Sequence, residues 1–493
     1  MTATNIFRDI QPEPPMGLAY IGALLEREGI EVKIVDSLIE GWERAVKVGE
    51  DSMIVGLDFK DIEDIISGFK PDIVGISNLF TRQRENAHRI AGIAKAIDKD
   101  IITVMGGAHP TVCPELVLAD ANIDYVVIGE GELTFMDLIK HIEGAKGMDE
   151  IDGIGYRQDG LPVVKPRVRY IEDMDSLPFP ARHLLNMEAY YTLKESHGFR
   201  KKRKYSPIIT SRGCPFKCVF CTAHKVWGRG YRKRSPENVI REMVEMKEKY
   251  GIEELMFEDD NVTLDVKRAE EIFDLMAAKG LDFCWDTPNG VAAFTLNKEL
   301  IKKMVDAGCY RINLAVESGN QYHLTHNIKK PLNLEKIPPL VDYARSLGCE
   351  ISMFIVLGVP GETEEMMWDS FRFAARLGIY SPFFSIATPY PGSEMFEICK
   401  EKGYLKKDFT LDDLFIRSFS INTPEWNGER VREIYQKGRR WLLLQHFKRH
   451  PVEFVKKYLK LLSGADLMSI KWMLKEIGVF KKKKKKEMAS SSP

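Results

Sequence analysis

The sequence predicts an α/β protein in which two sets of strand–helix units are followed by a helical C-terminal region. Short apolar runs alternate with amphipathic stretches over residues 1–148, and the same alternation returns over residues 201–400. Residues 149–200 between them contain short strand-like runs, prolines and charges, which predict an interdomain connector. Residues 401–493 carry mixed, basic, helical patterns. Alternating strands and helices form parallel sheets whose faces are covered by the helices.

The composition is that of an ordinary soluble globular protein. The chain has 493 residues, of which 44% are hydrophobic and 29% charged, and its formal net charge is −1. A nearly neutral chain has no global field that would attract nucleic acid or a membrane. No apolar run approaches the ~20 residues of a membrane span, and the N-terminus lacks the apolar region of a signal peptide. We therefore expect a cytosolic protein without a membrane anchor.

The first domain is predicted to be doubly wound. "GLAYIGALLEREG" predicts a helix that ends at Gly29, and "RENAHRIAGIAKAID" predicts another. Strands are predicted at "IEVKIVDS", "PDIVGISN", "DIITVMGGAHP" and "IDYVVIGEGE". Ligands of such sheets bind outside the carboxyl ends of the strands. Those ends are Ser77 to Phe80, Gly106 to Pro110 and Gly129 to Glu132.

The second domain is predicted to be a closed or partly closed barrel. Strand-like runs occur at "KYSPIITSRGC", "ELMFEDDN", "FCWDTPNG", "RINLAVESG", "ISMFIVLGVPGE" and "FFSIATPYPG", and a plausible helix separates each run from the next. Repeated units of this kind favour a barrel with its chemistry at the C-terminal ends of the strands.

Three cysteines follow the first of these strands closely. Residues 210–223 read "TSRGCPFKCVFCTA" and contain Cys214, Cys218 and Cys221. The other cysteines, at positions 113, 284, 309, 349 and 399, are scattered and predict small core residues in a reducing compartment rather than disulfides. A structural zinc site uses four ligands, so the interpretation as a zinc site would require His224 as the fourth ligand. An iron–sulfur cluster is ordinarily held by four thiolates, and three would leave one iron open to substrate or cofactor.

The spacing Cys-x3-Cys-x2-Cys after a first barrel strand resembles the signature of the radical S-adenosylmethionine (SAM) superfamily. The resemblance covers roughly residues 205 to 400 and implies a partial TIM-type (β/α)6 barrel. It also implies a [4Fe–4S] cluster on Cys214, Cys218 and Cys221, whose open iron chelates SAM. Reductive cleavage of SAM would yield a 5′-deoxyadenosyl radical. An electron donor such as flavodoxin or ferredoxin is the expected partner.

Further motifs follow the cysteines in the order expected from this resemblance. "FEDDNVT" resembles contacts to the SAM ammonium group, "NLAVESGN" contacts to the ribose or methionine moiety, and "VLGVPGET" the turn beside the adenine. The aromatic residue between the last two cysteines resembles one that packs on SAM. The implied SAM-binding residues are Phe220, Glu258, Asp259, Asp260, Asn261, Glu317, Ser318, Gly358 and Pro360. "ATPYPGS" places Tyr390 at the end of the last barrel strand as a residue facing the substrate.

The first domain resembles the Rossmann-like cobalamin-binding domain of one branch of this superfamily. The resemblance rests on "PPMGLAYIGALLEREGIEV", "DIVGISN", "VMGGAHPT" and "VIGEGE". Glycines at strand ends let the backbone approach a flat corrin. No G-x-G-x-x-G follows an early strand, which argues against a dinucleotide. The implied cobalamin-binding residues are Ser77, Asn78, Leu79, Gly106, Gly107, His109, Gly129, Glu130, Gly131 and Glu132.

Two features depart from related domains. The Asp-x-His-x-x-Gly motif of an axial histidine is absent, since neither His88 nor His109 fits it, and His109 is predicted to be a corrin-rim or packing residue. The branch also begins with an apolar strand ending in Asn-Pro, whereas only "MTATNIFRDIQPE" precedes Pro14. We therefore expect either that the domain lacks its first strand or that Met1 is not the true start.

The combination of domains implies chemistry at an unactivated carbon. The resemblance favours a methyltransferase that uses a 5′-deoxyadenosyl radical and methylcobalamin. It leaves open an oxidative cyclase or hydroxylase of a tetrapyrrole-like substrate, and outside catalysis a corrin- or cluster-binding sensor. No residue identifies the substrate or a general base. "VEFVKKYLKLL" and "IKWMLKEIGVF" predict core-packing helices, while the run Lys481 to Lys486 suits a solubilising tail as well as an anionic surface.

Overall fold

The computed structural model of the chain describes residues 12–48, 52–193, 196–415 and 418–456. The N-terminal part, up to the end of the predicted connector, contains eight α-helices and seven strands within these residues. In chain order they are α1 (Met16–Arg27), α2 (Ser37–Glu40), β1 (Ala45–Val48), β2 (Ser52–Val55), α3 (Phe59–Phe69), β3 (Ile73–Ser77), α4 (Arg84–Ile97), β4 (Ile102–Gly106), α5 (Ala108–Val112), α6 (Pro114–Leu118), β5 (Tyr125–Val127), α7 (Gly131–Ile142), β6 (Ile154–Gln158), β7 (Leu161–Lys165) and α8 (Met187–Thr192).

The N-terminal sheet has five strands in the order β3-β4-β5-β6-β7. The first three are parallel, and the last two join as an antiparallel hairpin. Strands β6 and β7 lie within the predicted connector, so the structure extends the first domain further along the chain than the composition indicated. A separate two-stranded hairpin, β1–β2, was not predicted. The carboxyl ends of β3, β4 and β5 lie at one edge of the sheet, where the sequence predicts ligand-binding residues.

The strand predicted at "IEVKIVDS" is not formed. Residues 29–36 have no helix or strand assignment, and among the described residues β3 pairs with β4 alone. A strand requires ladder hydrogen bonds to a neighbour, and within the described part of the chain no strand pairs with this segment. The segment packs through Ile30, Val32 and Ile34 against buried side chains instead. Its alternating apolar side chains therefore pack against the core, and its backbone does not join a β-ladder.

The second half of the chain supplies the remaining elements. They are β8 (Tyr205–Ile208), β9 (Ser211–Arg212), α9 (Ala223–Trp227), β10 (Arg232–Lys233), α10 (Pro236–Tyr250), β11 (Glu254–Phe257), α11 (Val266–Ala278), β12 (Cys284–Asp286), α12 (Lys298–Asp306), β13 (Arg311–Glu317), α13 (Gln321–His323), α14 (Ile337–Ser346), β14 (Glu350–Leu357), α15 (Glu364–Arg376), β15 (Phe383–Ile386), α16 (Glu394–Glu401) and α17 (Gly428–Arg449).

Six parallel strands form the predicted partial barrel. Strands β8, β11 and β12 form one sheet, and β13, β14 and β15 form another. A parallel bridge between Trp285 and Cys309 connects the two sheets. Helices α10, α11, α12, α14 and α15 connect successive strands, and the largest hydrophobic core lies between them and the strands. The fold class predicted from the sequence is confirmed for both domains.

The C-terminal region packs on the barrel through α17. Gly438 lies so close to α15 that a Cβ atom there would meet the ring of Phe371 at 2.2 Å. Residues 451–456 are helical, whereas the rest of "VEFVKKYLKLL", all of "IKWMLKEIGVF" and the Lys481 to Lys486 run lie outside the described residues. No helix in the described part of the chain is both long enough and apolar enough to cross a membrane.

The five scattered cysteines do not all lie in the core. Cys309, Cys349 and Cys399 are buried as predicted, but Cys113 and Cys284 are only half-buried. Cys284 begins a strand that leads into the barrel wall, and its thiol contacts the carbonyl oxygen of Glu253 at 3.8 Å. The prediction of small core residues is therefore correct for three of the five.

Candidate active site

The cysteine loop lies between β9 and α9 and is tied to the barrel by its backbone. The amide of Val219 donates to the carbonyl oxygen of Ile328 at 3.0 Å, and its own carbonyl accepts from the amide of Met395 at 2.9 Å. Gly213 has a φ of +84°, and a Cβ atom there would meet the carbonyl oxygen of Gly230 at 2.2 Å. The turn before Cys214 therefore requires glycine.

The three thiols are half-buried, and their surroundings favour the protonated form. Burial raises the pKa of Cys218 to about 12 and that of Cys221 to about 11, and burial also raises the pKa of Cys214. A metal that binds these sulfur atoms must therefore displace protons. The positive charge of Lys330 lowers the pKa of Cys218 and of Cys214 and so opposes the effect of burial.

The spacing of the thiols suits a cluster better than a single ion. Thiolates at about 2.3 Å from one tetrahedral zinc would lie about 3.8 Å apart. Among the described residues, the only group of three or more metal-ligating side chains within 4.8 Å of one another is Glu13, His197 and Glu258. Cys214, Cys218 and Cys221 do not form such a group. Three thiols on one loop are the donors that hold iron–sulfur clusters, so the residues present fit such a cluster.

Two aspartates after β11 hold the start of the cysteine loop. The Asp259 carboxylate accepts from the Thr210 amide at 2.8 Å, from the Thr210 hydroxyl at 2.7 Å and from the Ser211 hydroxyl. Asp260 accepts from the Gly213 amide at 3.0 Å. Asp259 is buried, whereas Asp260 is accessible to solvent. Desolvation nevertheless raises the pKa of Asp260 to about 6.

Asp260 and Glu317 are the acidic residues whose negative charges raise the pKa values of the thiols. Both raise the pKa of Cys221, and Glu317 does the same at Cys218. The Glu317 carboxylate accepts from the Lys330 ammonium at 2.9 Å, and both side chains are largely buried. Glu317 has a positive φ of 71°, which is uncommon for a residue other than glycine and occurs often at functional sites.

The remaining predicted SAM-site residues lie on neighbouring strand ends. Ser318 is buried and lies 3.4 Å from the hydroxyl of Ser370. Asn261 is buried, and its Nδ2 has no hydrogen-bond partner among the described residues. The Gly358 amide donates to the buried carboxyl group of Glu362 at 2.7 Å. Phe220 packs partly buried against the main core, while Pro360 and Tyr390 are half-buried.

Glu258 has different partners from its neighbours. Its carboxylate lies 3.0 Å from Nδ1 of His197 and accepts from Nδ2 of Asn289 at 2.9 Å. Glu13, which comes from the N-terminal domain, lies 3.5 Å from the same His197 nitrogen. The three consecutive acidic residues of the motif "FEDDNVT" therefore lie in three separate environments. Its sequence alone contains no signal for this division.

The predicted corrin-side residues surround the ends of β3 and β4. Gly107 has a φ of +113°, and a Cβ atom there would meet the carbonyl oxygen of Asn78 at 2.6 Å. His109 is buried, its Nδ1 lies 3.1 Å from the Thr81 hydroxyl, and its Nε2 has no hydrogen-bond partner among the described residues. Desolvation lowers the pKa of His109 to about 4, so the imidazole is neutral.

Apolar surface is exposed at the same edge of the sheet. Leu79 is 54% exposed and Phe80 is 62% exposed, directly after β3. Ser77, Gly106 and Gly129 line the same edge and are half-buried. Exposed apolar residues beside a glycine-rich edge suit a large flat ligand such as a corrin.

The acidic turn after β5 contacts the barrel domain. Glu130 accepts from Nη1 of Arg212 at 2.9 Å and from Nη1 of Arg232 at 2.7 Å, and Glu132 accepts from Nη2 of Arg212 at 2.5 Å. All four side chains are buried. Burial by itself would raise the pKa of Glu132, but the guanidinium group of Arg212 lowers it below the usual range. Both carboxylates therefore join the domains, although the sequence predicted that they bind corrin. Gly131, between them, begins α7.

Arg212 and Arg232 were missed from the sequence. Arg212 lies two positions before Cys214, so the carboxylates of the N-terminal turn hold the strand that leads into the cysteine loop. The sequence contains both partners, an arginine before the cysteines and an acidic turn elsewhere in the chain. Sequence spacing does not reveal such a pairing, because the partners are 80 residues apart.

The C-terminal half brings further contacts to this junction. A Cβ atom at Gly392, after the last barrel strand, would meet Val112 of α5 at 2.9 Å and Lys225 of α9 at 3.4 Å. Asp412 accepts from Arg84 of the N-terminal domain at 2.9 Å. The predicted corrin edge, the cysteine loop and the end of the barrel therefore meet at one junction.

Comparisons with known proteins agree with this architecture. The family model described as the B12 binding domain matches residues 11–139. The model described as the Radical SAM superfamily matches residues 208–374. The first match ends before the β6–β7 hairpin, and the second begins at the end of β8.

Similar proteins span most of the chain. The cytidylyl-2-hydroxyethylphosphonate methyltransferase of Streptomyces wedmorensis is 36% identical over 86% of this chain and 85% of its own length. The anaerobic magnesium-protoporphyrin IX monomethyl ester cyclase of Rubrivivax gelatinosus is 26% identical over 92% of this chain and 78% of its own. The solved structure of the cobalamin-dependent SAM radical enzyme OxsB has a TM-score of 0.69 at 16% identity, covering 94% of this chain and 72% of OxsB.

Proposed function

The chain belongs to the cobalamin-dependent branch of the radical SAM superfamily, and we propose that it transfers a methyl group to an unactivated carbon. The protein is an enzyme whose cofactors are a [4Fe–4S] cluster, SAM and cobalamin. The observation that carries the proposal is the contact of Arg212 with Glu130 and Glu132. It joins the corrin-side turn to the cysteine loop, so that both predicted cofactor sites face one junction.

Each group of residues has a separate part in this proposal. Cys214, Cys218 and Cys221 hold the cluster. When bound, the cluster and SAM supply a 5′-deoxyadenosyl radical that removes hydrogen from the substrate, and cobalamin carries the methyl group. Asp260 and Glu317 bind SAM, because these are the acidic side chains whose charges reach the thiols.

Other residues shape and shield the site in this proposal. Ser318, Asn261 and the turn at Gly358 and Pro360 complete the SAM pocket. Asp259 positions the cysteine loop by accepting three hydrogen bonds from Thr210 and Ser211, rather than by touching SAM. The residues around Asp412 and Gly392 cover the junction and exclude water, which protects reactive species.

The cobalamin pocket in this proposal lies at the carboxyl ends of β3 and β4. Leu79 and Phe80 contact the corrin through their exposed apolar surface. Gly106, Gly107 and Gly129 allow close approach of the backbone. His109 supports this edge through Thr81 and stays neutral, so it packs beneath the rim instead of contributing charge.

The reductant and the compartment are further parts of the proposal. Radical SAM enzymes require an electron source, and a flavodoxin or ferredoxin is the partner class we propose. The three clustered thiols favour a reducing compartment, such as the cytosol.

A substrate trial with labelled SAM tests the methyl transfer. The reconstituted, reduced enzyme is supplied with cobalamin, with SAM carrying a trideuterated methyl group and with cytidylyl-2-hydroxyethylphosphonate, the compound named for the Streptomyces relative. The expected result is a trideuterated product formed together with 5′-deoxyadenosine and S-adenosylhomocysteine. Formation of both nucleoside products without methylated phosphonate would exclude this compound and retain the reaction class.

The cyclase relative supports a second candidate, an oxidation in place of methyl transfer. An oxidised and unlabelled product formed with 5′-deoxyadenosine, but without S-adenosylhomocysteine, would favour that reaction. Failure of the reduced enzyme to cleave SAM at all would favour a binding protein without turnover.

A further inference from the structure

A second group of metal-ligating side chains lies apart from the cysteines. One ligand atom each from Glu13, His197 and Glu258 lies within 4.8 Å of the others. Nδ1 of His197 is 3.0 Å from Oε1 of Glu258 and 3.5 Å from Oε2 of Glu13. Two ligands at about 2.1 Å from one ion lie about 3.0 Å apart at a right angle and about 4.2 Å apart across it. The observed separations therefore fit three ligands of one ion after a small adjustment.

Three different parts of the chain hold this group. Glu258 directly follows β11, at the carboxyl end of the barrel strand, and Asn289 after β12 donates to its Oε2 at 2.9 Å. His197 precedes the first barrel strand, and Glu13 comes from the N-terminal domain. The Tyr190 hydroxyl lies 3.0 Å from the backbone carbonyl oxygen of Glu13 and hydrogen-bonds to the carboxylate of Asp36. The hydrogen bond from Asn289 to Glu258 is of the kind that orients ligands at metal centres.

The protein compensates the charge of the group only in part, through His197 and through a hydrogen bond between the Glu13 and Glu258 carboxyl groups. Among the described residues, His197 is the only basic side chain that forms an ion pair with Glu13 or Glu258. Two buried or enclosed carboxylates normally pair with cations or coordinate a metal. Burial raises the pKa of Glu258 well above its usual range, and the charges of Asp259 and of Asp286, which is buried at the end of β12, raise it further.

The group is partly buried. The Glu258 side chain is 6% exposed, while those of His197 and Glu13 are 27% and 33% exposed. Desolvation and the charge of Glu258 nevertheless raise the pKa of Glu13 to about 8. Without a cation the two carboxyl groups therefore retain a proton near neutral pH, and a bound cation would replace it.

We propose that Glu13, His197 and Glu258 bind a divalent first-row transition-metal ion at a site separate from the cysteine loop. One imidazole nitrogen and two carboxylate oxygens suit ions such as Mn²⁺, Fe²⁺ or Co²⁺ better than Mg²⁺, which prefers oxygen ligands. Three protein ligands leave positions open on a six-coordinate ion. The metal site itself does not depend on the proposed methyl transfer.

Manganese binding to the full-length, cluster-reconstituted enzyme tests this site directly. After removal of loosely bound metals on a chelating resin, Mn²⁺ is titrated and its free fraction is read by electron paramagnetic resonance. We expect one Mn²⁺ per chain and a nitrogen modulation from His197 in pulsed spectra. His197→Gln should abolish the nitrogen signal and weaken binding by at least about tenfold, and Glu258→Gln and Glu13→Gln should weaken it comparably.

A matched control is available on the surface. His183 contacts Glu26 at 2.9 Å, with both side chains well exposed, so His183→Gln removes a similar histidine–glutamate pair away from the proposed site. This control should bind Mn²⁺ as the wild type does. Cluster absorbance and SAM cleavage, measured on the same samples, report separately on the proposed function and on folding.

Two outcomes would overturn the metal site. The first is the absence of Mn²⁺ binding to a folded wild-type enzyme up to about 1 mM, which is the weak end of the affinities of functional Ca²⁺ sites. The second is binding that His197→Gln leaves unchanged in affinity and in nitrogen coupling. If Glu258→Gln does not fold, the partly exposed His197→Gln decides the question.

Discussion

Nη2 of Arg212 lies 2.5 Å from Oε1 of Glu132, and both side chains are buried between the two domains. Arg212 stands at the start of the cysteine loop, and Glu132 stands in the glycine-rich turn after β5. This single pair therefore connects the part of the barrel that is proposed to hold the cluster with the edge proposed to hold cobalamin.

Removing Arg212 should destabilise the protein strongly. Arg212→Met leaves Glu132 buried without its cationic partner, and loss of one member of a buried pair typically costs about 3–5 kcal/mol. We expect a loss of this size in the free energy of unfolding, measured anaerobically by denaturant titration. Arg203→Met, which removes an exposed contact to Glu188 at 3.5 Å, should change it by less than about 1 kcal/mol. Equal effects of the two substitutions would contradict the role assigned to Arg212.

Each cysteine of the loop should be required for the cluster. Cys214→Ala, Cys218→Ala and Cys221→Ala remove a thiolate ligand, so the reconstituted variants should lose the charge-transfer absorbance and nearly all 5′-deoxyadenosine formation. Iron content and chromatography of the nucleoside measure these losses. Cys284→Ser serves as the control, since this half-buried thiol lies elsewhere in the barrel wall. A zinc content that survives in the wild type and disappears in His224→Ala would point to the zinc alternative instead.

Cluster assembly should become easier as the pH rises. The raised pKa values of Cys218, about 12, and Cys221, about 11, mean that both thiols are protonated near neutral pH in the metal-free protein. Metal binding must therefore release protons, and its apparent affinity grows with pH. Iron uptake at a fixed sulfide concentration should increase between pH 7 and pH 9. Uptake that is flat or falling over this interval would be inconsistent with buried, protonated thiols.

Glu317 should influence SAM more than the cluster. Glu317→Gln keeps the size of the side chain but removes its charge beside Lys330. We expect the KM for SAM to rise by about tenfold, the equivalent of one lost charge-assisted hydrogen bond of about 1.4 kcal/mol. The iron content should stay unchanged. Glu335→Gln on the exposed surface is the control, and a variant that loses iron together with SAM affinity would indicate a structural role.

Phe80 should contribute to cobalamin binding through its apolar surface. Phe80→Ser removes a ring that is 62% exposed in the chain without ligand, and covering such a side chain is worth about 1.5–3 kcal/mol. Cobalamin affinity, measured by absorbance after equilibrium dialysis, should fall by about 10- to 100-fold. Leu161→Ser, at a site 69% exposed on the distant hairpin, should have no effect. If both variants retain cobalamin equally, the corrin lies elsewhere.

The motifs that carry the chemistry could be identified from the sequence because they are local. Cys214, Cys218 and Cys221 lie within one loop, and their spacing alone indicates a shared ligand. The six barrel strands were also predictable, since each is a continuous apolar run that ends in a glycine- or acid-rich turn. The family and the fold class followed from these features and are confirmed.

Tertiary structure decided which acidic residues face which partner. Glu258, Asp259 and Asp260 are adjacent in the chain, yet they contact His197, Thr210 and Gly213 respectively. Glu130 and Glu132, which the sequence predicts to bind corrin, pair with arginines of the barrel. Side-chain type and strand position identify a strand end, but the free energy of a buried carboxylate depends on the partner that another segment brings to it. Those partners meet only when the chain folds.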